Sequence, residues 1–384
     1  MKNFSAGSIG VLILLSLLSL SGLLLVENTK TDVERKYYKE KLEASKLAKS
    51  ASDMLKEHRL QKGVFIDAVN DPNRTALIGQ DITPITTDRG YIEAKLTSLN
   101  PNFAAVVVEM LKEGGLKEGD VVAVAFTGSF PGLNIAVHSA LQTLKLKPVI
   151  ITSVGASNWG ANDPYYTWLD MEKTLFNAGL FNQKSIAASY GGGLDRGRGL
   201  SPEGRDLIHA AIDRNGIELI NEEYLENSIE KRLEIYKKYS EGPIKLFINV
   251  GGGIASIGST ENYQFIPGGY SPPLKMKNFP IKGVLIRMSE ENIPFIHLLN
   301  ITQLANKYGL PVSPVPLPLP GEGEIYIQKR YNLTLTTIIT LVLAGFITVV
   351  LILEKKRHKL GTELIADINQ SDKITHQQHE LTEL

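Results

Sequence analysis

Residues Asp120 to Trp159 constrain the fold of this chain more than any other stretch. Val121 to Phe126 is a run of β-branched and apolar side chains without polar alternation; the turn Gly128-Ser-Phe-Pro-Gly132 and a helical pattern from Leu133 to Leu144 follow, then a second apolar run from Pro148 to Thr152. Strand, turn, helix and strand make one βαβ unit, and a first strand with no polar face is covered on both sides. Parallel units of this kind bind ligands at the carboxyl ends of their strands. Thr127, Gly128 and Ser129 fall at that end.

The termini add a second constraint. Ser8 to Val26 carries no charge, and at about 1.5 Å per residue a helix of this length nearly crosses a hydrocarbon core of about 30 Å. Its apolar part is longer than that of a secretory signal and no Ala-x-Ala pattern follows, which favours a retained anchor over a cleaved leader. Leu333 to Leu353 is a second uncharged run, and Glu354-Lys-Lys-Arg-His-Lys359 stops it. With Lys2 before the first span, the positive-inside rule places residues 1–7 and 354–384 in the cytoplasm and the main domain outside, although Lys329 and Arg330 pull the other way.

The fold class expected is therefore α/β and Rossmann-like: a mostly parallel sheet with helices on both faces, flanked by N- and C-terminal transmembrane helices. The regions expected are a span at 8–26, a juxtamembrane amphipathic helix within 27–62, an extracytoplasmic α/β domain at 63–310, a Pro-rich spacer at 311–332, and a span at 333–353. Ala44, Leu47, Ala48, Ala51 and Leu55 give the amphipathic helix its stripe. Pro311 to Pro320 reads as polyproline II, a stiff spacer of about 30 Å. The polar tail after Leu360 reads as unpacked chain.

Within the domain, strands are expected at Ser185–Ser189, Ile217–Ile220, Pro243–Val250 and Gly283–Met288. Helices are expected from Asn102 to Glu113, from Trp168 to Gly179, over Glu222–Tyr239 with Leu225, Ile229, Leu233 and Tyr236 inward, and from Pro294 to Tyr308. Ser201-Pro-Glu203 reads as an N-cap with Pro at the first helical position, opening a helix to about Arg214.

Composition excludes several functions. Lys plus Arg and Asp plus Glu both number 41, so no global charge points to nucleic acid, and the absence of Cys removes thiolate chemistry and disulfides. Gly191-Gly-Gly-Leu-Asp-Arg196 and Gly251-Gly-Gly-Ile-Ala-Ser256 lack the last glycine of a dinucleotide fingerprint, and no G-x-x-x-x-G-K-[ST] occurs, so no cofactor is expected. His138, His209 and His297 lie in predicted helices without metal-ligand spacing, and no metal is expected.

What remains is a set of strand ends. Thr127, Gly128 and Ser129; Ser153, Gly155, Ser157 and Asn158; Gly191, Gly192 and Gly193; and Gly251, Gly252 and Gly253 all terminate predicted strands, and a parallel sheet would bring them to one edge. Glycine lets a ligand approach the backbone, and free amides at helix starts favour anions. Asp195, Arg196 and Arg198 stand among the third group, and guanidinium forks suit carboxylates or phosphates. Arg74 and Arg89 are further possible ligand contacts. Ser129 is a weak candidate nucleophile, because Gly128-Ser-Phe-Pro-Gly132 is not G-x-S-x-G.

With two spans bracketing an α/β domain, and with Thr127-Gly-Ser-Phe-Pro-Gly-Leu-Asn134, Ser153-Val-Gly-Ala-Ser-Asn-Trp-Gly-Ala-Asn162, Gly191-Gly-Gly-Leu-Asp-Arg-Gly197 and Asn249-Val-Gly-Gly-Gly253, the chain resembles the poly-gamma-glutamate system protein family over nearly its whole length. The resemblance implies a membrane protein accompanying poly-gamma-glutamate synthesis and export, with the polymer or another polyanion, the membrane, and the synthase and export subunits as partners. It supplies no catalytic residues. Three roles are open: an accessory protein binding the anionic polymer, a hydrolase or transferase acting on it through Ser129, or a scaffold for the synthase.

Overall fold

A computed structural model describes residues 8–276 and 278–382, with side chains to residue 371. Among the described residues the chain forms, in order, α1 (Ile9–Asn28), β1 (Thr31–Glu34), α2 (Tyr38–Gln61), β2 (Thr86–Asp88), α3 (Ile92–Ser98), α4 (Phe103–Glu113), β3 (Val121–Thr127) and α5 (Pro131–Thr143). Next come β4 (Lys147–Ser153), β5 (Ala156–Ser157), α6 (Trp168–Asn177), β6 (Ala187–Ser189), α7 (Pro202–Asn215), β7 (Glu218–Ile220), α8 (Leu225–Tyr239) and β8 (Ile244–Val250). The last elements are α9 (Ile254–Ile257), β9 (Gly269–Ser271), α10 (Val284–Glu290), β10 (Phe295–Leu298), α11 (Ile301–Lys307), β11 (Ile327–Arg330) and α12 (Leu333–Thr382). They divide into two compact units, one of residues 1–33 with 328–384 and one of residues 34–327.

In the first unit α1 and α12 are both long and apolar enough to cross a membrane, with mean hydropathies of 2.7 and 2.6, and little of either is buried. Largely exposed apolar helices are not the core of a water-soluble fold. They run antiparallel: Gly22 meets Ile339 so closely that an added Cβ would stand 2.7 Å from its methyl, and Glu27 accepts from the Tyr331 hydroxyl at 3.2 Å. Val11, Leu15, Ser19, Gly22 and Val26 are the less exposed positions of α1, a three-and-four spacing that forms one packing stripe. α12 continues as helix far beyond the expected span. The tail holds no proline and is rich in Lys, Glu, Leu and Ile, so helix propensity carries it on.

The second unit is built on a seven-stranded sheet of order β7-β6-β4-β3-β8-β10-β9, parallel throughout except where β9 pairs with β10. The chain starts in the middle at β3, steps outward through β4, β6 and β7, and returns to the other side of β3 with β8. Every residue of β3 is buried. Val122, Val124 and Phe126 join the core beneath α2, α4 and α5, while Val121, Ala123 and Ala125 join the core beneath α8, α9 and α10. This two-sided burial is what the uninterrupted apolar run demanded.

The apolar stripe of α2 packs into the core: Ala44, Ala48, Ala51 and Leu55 are buried against α4 and α5, and buried Lys41 donates to the Ile325 carbonyl at 3.0 Å. Three expectations change. The Pro-rich segment is no free-standing spacer. Asn73 donates to the Pro314 carbonyl at 2.8 Å, Asn102 to the Leu319 carbonyl at 3.0 Å, and Tyr326, fully buried, donates to Asn102 Oδ1 at 2.7 Å and meets Ser45 Oγ at 2.6 Å. A chain rich in proline leaves carbonyls unpaired, and here side chains of the domain bond two of them. The expected strand at 283–288 is α10, and the expected helix start at Pro294 is β10. Short apolar runs do not distinguish helix from strand by period; β10 lies between β8 and β9 and is buried throughout, hence its unbroken apolarity.

Candidate functional site: a cleft on the carboxyl edge of the sheet

The carboxyl ends of β3, β4, β6 and β8 open into one cleft of about 1070 Å3. Thr127, Ser129, Ser153, Gly155, Ser157, Gly192, Gly193, Gly252 and Gly253 line it, so all four corners picked out in the sequence contribute. β3 and β8, between which the strand order turns back, meet at its floor, the place where open parallel sheets bind ligands. Gly251 has φ +82°, and a Cβ there would stand 2.6 Å from Thr127 Oγ1, so only glycine lets β8 turn this close to β3. Thr127 Oγ1 itself is buried without a partner. Tyr263 closes that side, donating to the Gly252 carbonyl at 2.9 Å, and burial pushes its hydroxyl up to about 12.

The opposite wall comes from β2, α3 and the turn between them. β2 pairs in parallel with β5, and Asn158 fastens it: its Oδ1 accepts from the Gly90 amide at 2.9 Å, and its Nδ2 donates to the Asp81 carbonyl at 2.6 Å. α3 follows, and from it Lys95 enters the cleft wall. Lys95 is 2 % exposed; its Nζ donates to the Ser129 carbonyl and, at 2.7 Å, to Ser157 Oγ, and it lies 3.9 Å from the centroid of the Phe130 ring. No carboxylate pairs with it among the described residues. Burial of an uncompensated ammonium favours the neutral amine, and the Lys95 pKa falls to about 7. A Cβ on Gly90 would stand 3.0 Å from Ser157 Oγ and 3.2 Å from Lys95 Cε, leaving no room for a side chain beside this pair. The Ser157 amide donates to Ser129 Oγ at 3.0 Å.

Beside Ser153 lies the second buried cation. Arg232, on α8, binds Asp195 through Nε at 3.0 Å and Nη2 at 2.9 Å, and Nη2 also donates to Ser153 Oγ and Ser189 Oγ. Ser228 and Ser189 donate to the same carboxylate at 2.6 and 2.7 Å. The ends of β4 and β6 are thus tied to α8 by a saturated network.

Several predicted residues lie elsewhere. Arg196 and Arg198 are exposed and do not line the cleft; Arg196 instead donates to the Glu223 carbonyl at 3.2 Å. The reason is local. Leu194 and Asp195 have φ of 55° and 60°, which turns Asp195 inward to Arg232 while Arg196 stays exposed. Gly128, Asn158, Gly191 and Gly251 shape the turns behind the lining. Of the two further arginines, Arg89 lies on the cleft with Asp88 and Glu93, whereas Arg74 is exposed away from it. The histidines are spread out: His138 pairs with Glu172 at 2.9 Å, His209 with the Tyr190 hydroxyl at 3.1 Å, and His297, in β10 rather than a helix, with Asn249 at 2.9 Å.

Lys95 and Arg232 were missed although a signal existed. Ile92, Leu96 and Leu99 mark an apolar stripe and Lys95 falls beside it; Leu225, Ile229, Leu233 and Tyr236 mark another, and Arg232 falls on it. A cation on an apolar stripe is a buried cation. Comparison with known protein families, curated proteins and solved structures finds no significant match.

Proposed function

We propose that the chain is a membrane-tethered accessory protein of poly-gamma-glutamate biosynthesis and export, whose cleft holds the anionic polymer outside the membrane next to the synthase and export subunits. The observation that carries the reading is the single cleft to which four strand ends contribute, with Lys95 in its wall and Arg89 on its lining. At about 1070 Å3 it reaches the top of the roughly 300–1,000 Å3 usual for small-molecule sites, which suits a stretch of chain more than one small molecule. The recruiting charge is Arg89 rather than Arg196 and Arg198. Asp88 and Glu93 on the same lining make the cleft selective for how carboxylates are spaced, not only for their number.

The strand order, turning back between β3 and β8, supports a Rossmann-like, doubly wound sheet. The basic run from Lys355 to Lys359 supports cytoplasmic termini and an outer α/β unit. The full chain in detergent, titrated with poly-gamma-glutamate and with a neutral polymer of equal length, tests the role. Binding to the polyanion should weaken with salt and fall about five- to tenfold in Arg89→Ala; equal affinity for both polymers overturns it.

A further inference from the structure

Lys95 and Ser157 come from distant parts of the chain, yet they meet at 2.7 Å on the open cleft, with Nζ held from its other side by the Ser129 carbonyl. Ser157 is partly exposed to the cleft while Lys95 is shielded from bulk water. A structural lysine would meet a carboxylate or reach solvent; this one meets a hydroxyl. Gly90 packs directly against both residues, where a side chain would have no room.

We infer that Ser157 is a nucleophile and Lys95 its general base in acyl transfer from an amide or ester carbonyl. In the first step the Ser157 hydroxyl proton passes to the neutral Lys95 amine as Oγ bonds the carbonyl carbon. The tetrahedral adduct collapses by breaking the bond to the leaving amine or alcohol, which takes the proton back from Lys95. Water, or an acceptor amine, then attacks the Ser157 ester and gives its proton to Lys95, which passes it to Ser157 Oγ as the acyl carbon–Oγ bond breaks, releasing the acyl group and regenerating Ser157. Such a pair needs its lysine neutral when it takes the proton, and burial brings a substantial neutral fraction within reach of pH 7 and above. Ser129, whose Oγ accepts from the Ser157 amide and does not contact Lys95, is a positioning residue instead. The identity of the acyl group as a carboxylate-rich polymer, and only that, rests on the proposed polymer-binding role.

The full chain in detergent, incubated with an alkyl fluorophosphonate, tests the pair directly: Oγ displaces fluoride from phosphorus and the adduct is located by peptide mass. The adduct should form on Ser157, and its rate should climb about tenfold per pH unit below about 7 and level off above. Lys95→Met, nearly isosteric, should slow it by at least about 100-fold. No adduct on wild-type protein that melts cooperatively, an adduct on another serine, or a rate flat in pH overturns the inference. Polymer binding without the adduct sinks the pair alone; the adduct without polymer binding sinks the accessory role alone.

Discussion

Arg232 and Lys95 are both almost wholly buried on the carboxyl side of the sheet, and they stand in opposite surroundings. Arg232 faces a carboxylate and three hydroxyls that use its donors and the lone pairs of Asp195. Lys95 faces a carbonyl, a hydroxyl and an aromatic ring, with no anion. A buried charge whose partner is present holds elements together, and removing the partner leaves it stranded. A buried amine without a partner relaxes by losing its proton. The first is architecture, the second is a reactive group.

The comparison is broken most directly through Asp195. Asp195→Ala strands Arg232 and should cost about 3–5 kcal/mol, measured by chemical denaturation of the full chain in detergent. Lys95→Met removes an uncompensated amine and should cost no more than about 1 kcal/mol. Equal losses would mean that the two cations are held alike.

His297 sharpens the comparison as a second buried base without an anion. Its Nδ1 meets Asn249, its Nε2 has no partner, and burial pushes its pKa down to about 4. The unfolded chain takes up a proton near pH 6.5 that the folded chain refuses until about pH 4. The stabilisation is therefore complete above pH 6.5 and lost as pH falls through that window, by about 3 kcal/mol. Denaturant midpoints at pH 7 and pH 4.5 should differ accordingly, and His297→Gln should flatten the difference.

The smallest effect belongs to the exposed guanidiniums. Replacing Arg196 and Arg198 together by Ala should change stability by less than about 0.5 kcal/mol and polymer affinity by less than twofold in the same titration. A large loss of affinity would return them to the site.

Much of the framework was legible because backbone period and burial write themselves locally. The unbroken apolar run of β3, the Ser201 N-cap, whose Oγ accepts from the Gly204 amide at 3.0 Å, and the two long uncharged runs needed no distant partner to be recognised. Gly283 to Met288 and Pro294 to Leu298 were exchanged between helix and strand because five or six apolar residues satisfy either period, and only pairing with β8 decided that 295–298 is a strand. The Pro-rich segment misled for a related reason. The side chains that bind it down, those of Asn73 and Asn102, stand far from it in the sequence.

The amino-acid order alone settled that strands would end in glycine- and hydroxyl-bearing corners and that two helices would suit a membrane, since both depend on side chains only a few positions apart. Which polar groups would share a wall was decided in three dimensions. Lys95 reached Ser157 because β2 pairs with β5, and Asp195 rather than Arg196 turned inward because two consecutive residues adopt positive φ. Partnerships of this kind span tens to hundreds of residues and follow from pairing, packing and charge neutralisation, which no short window of sequence contains.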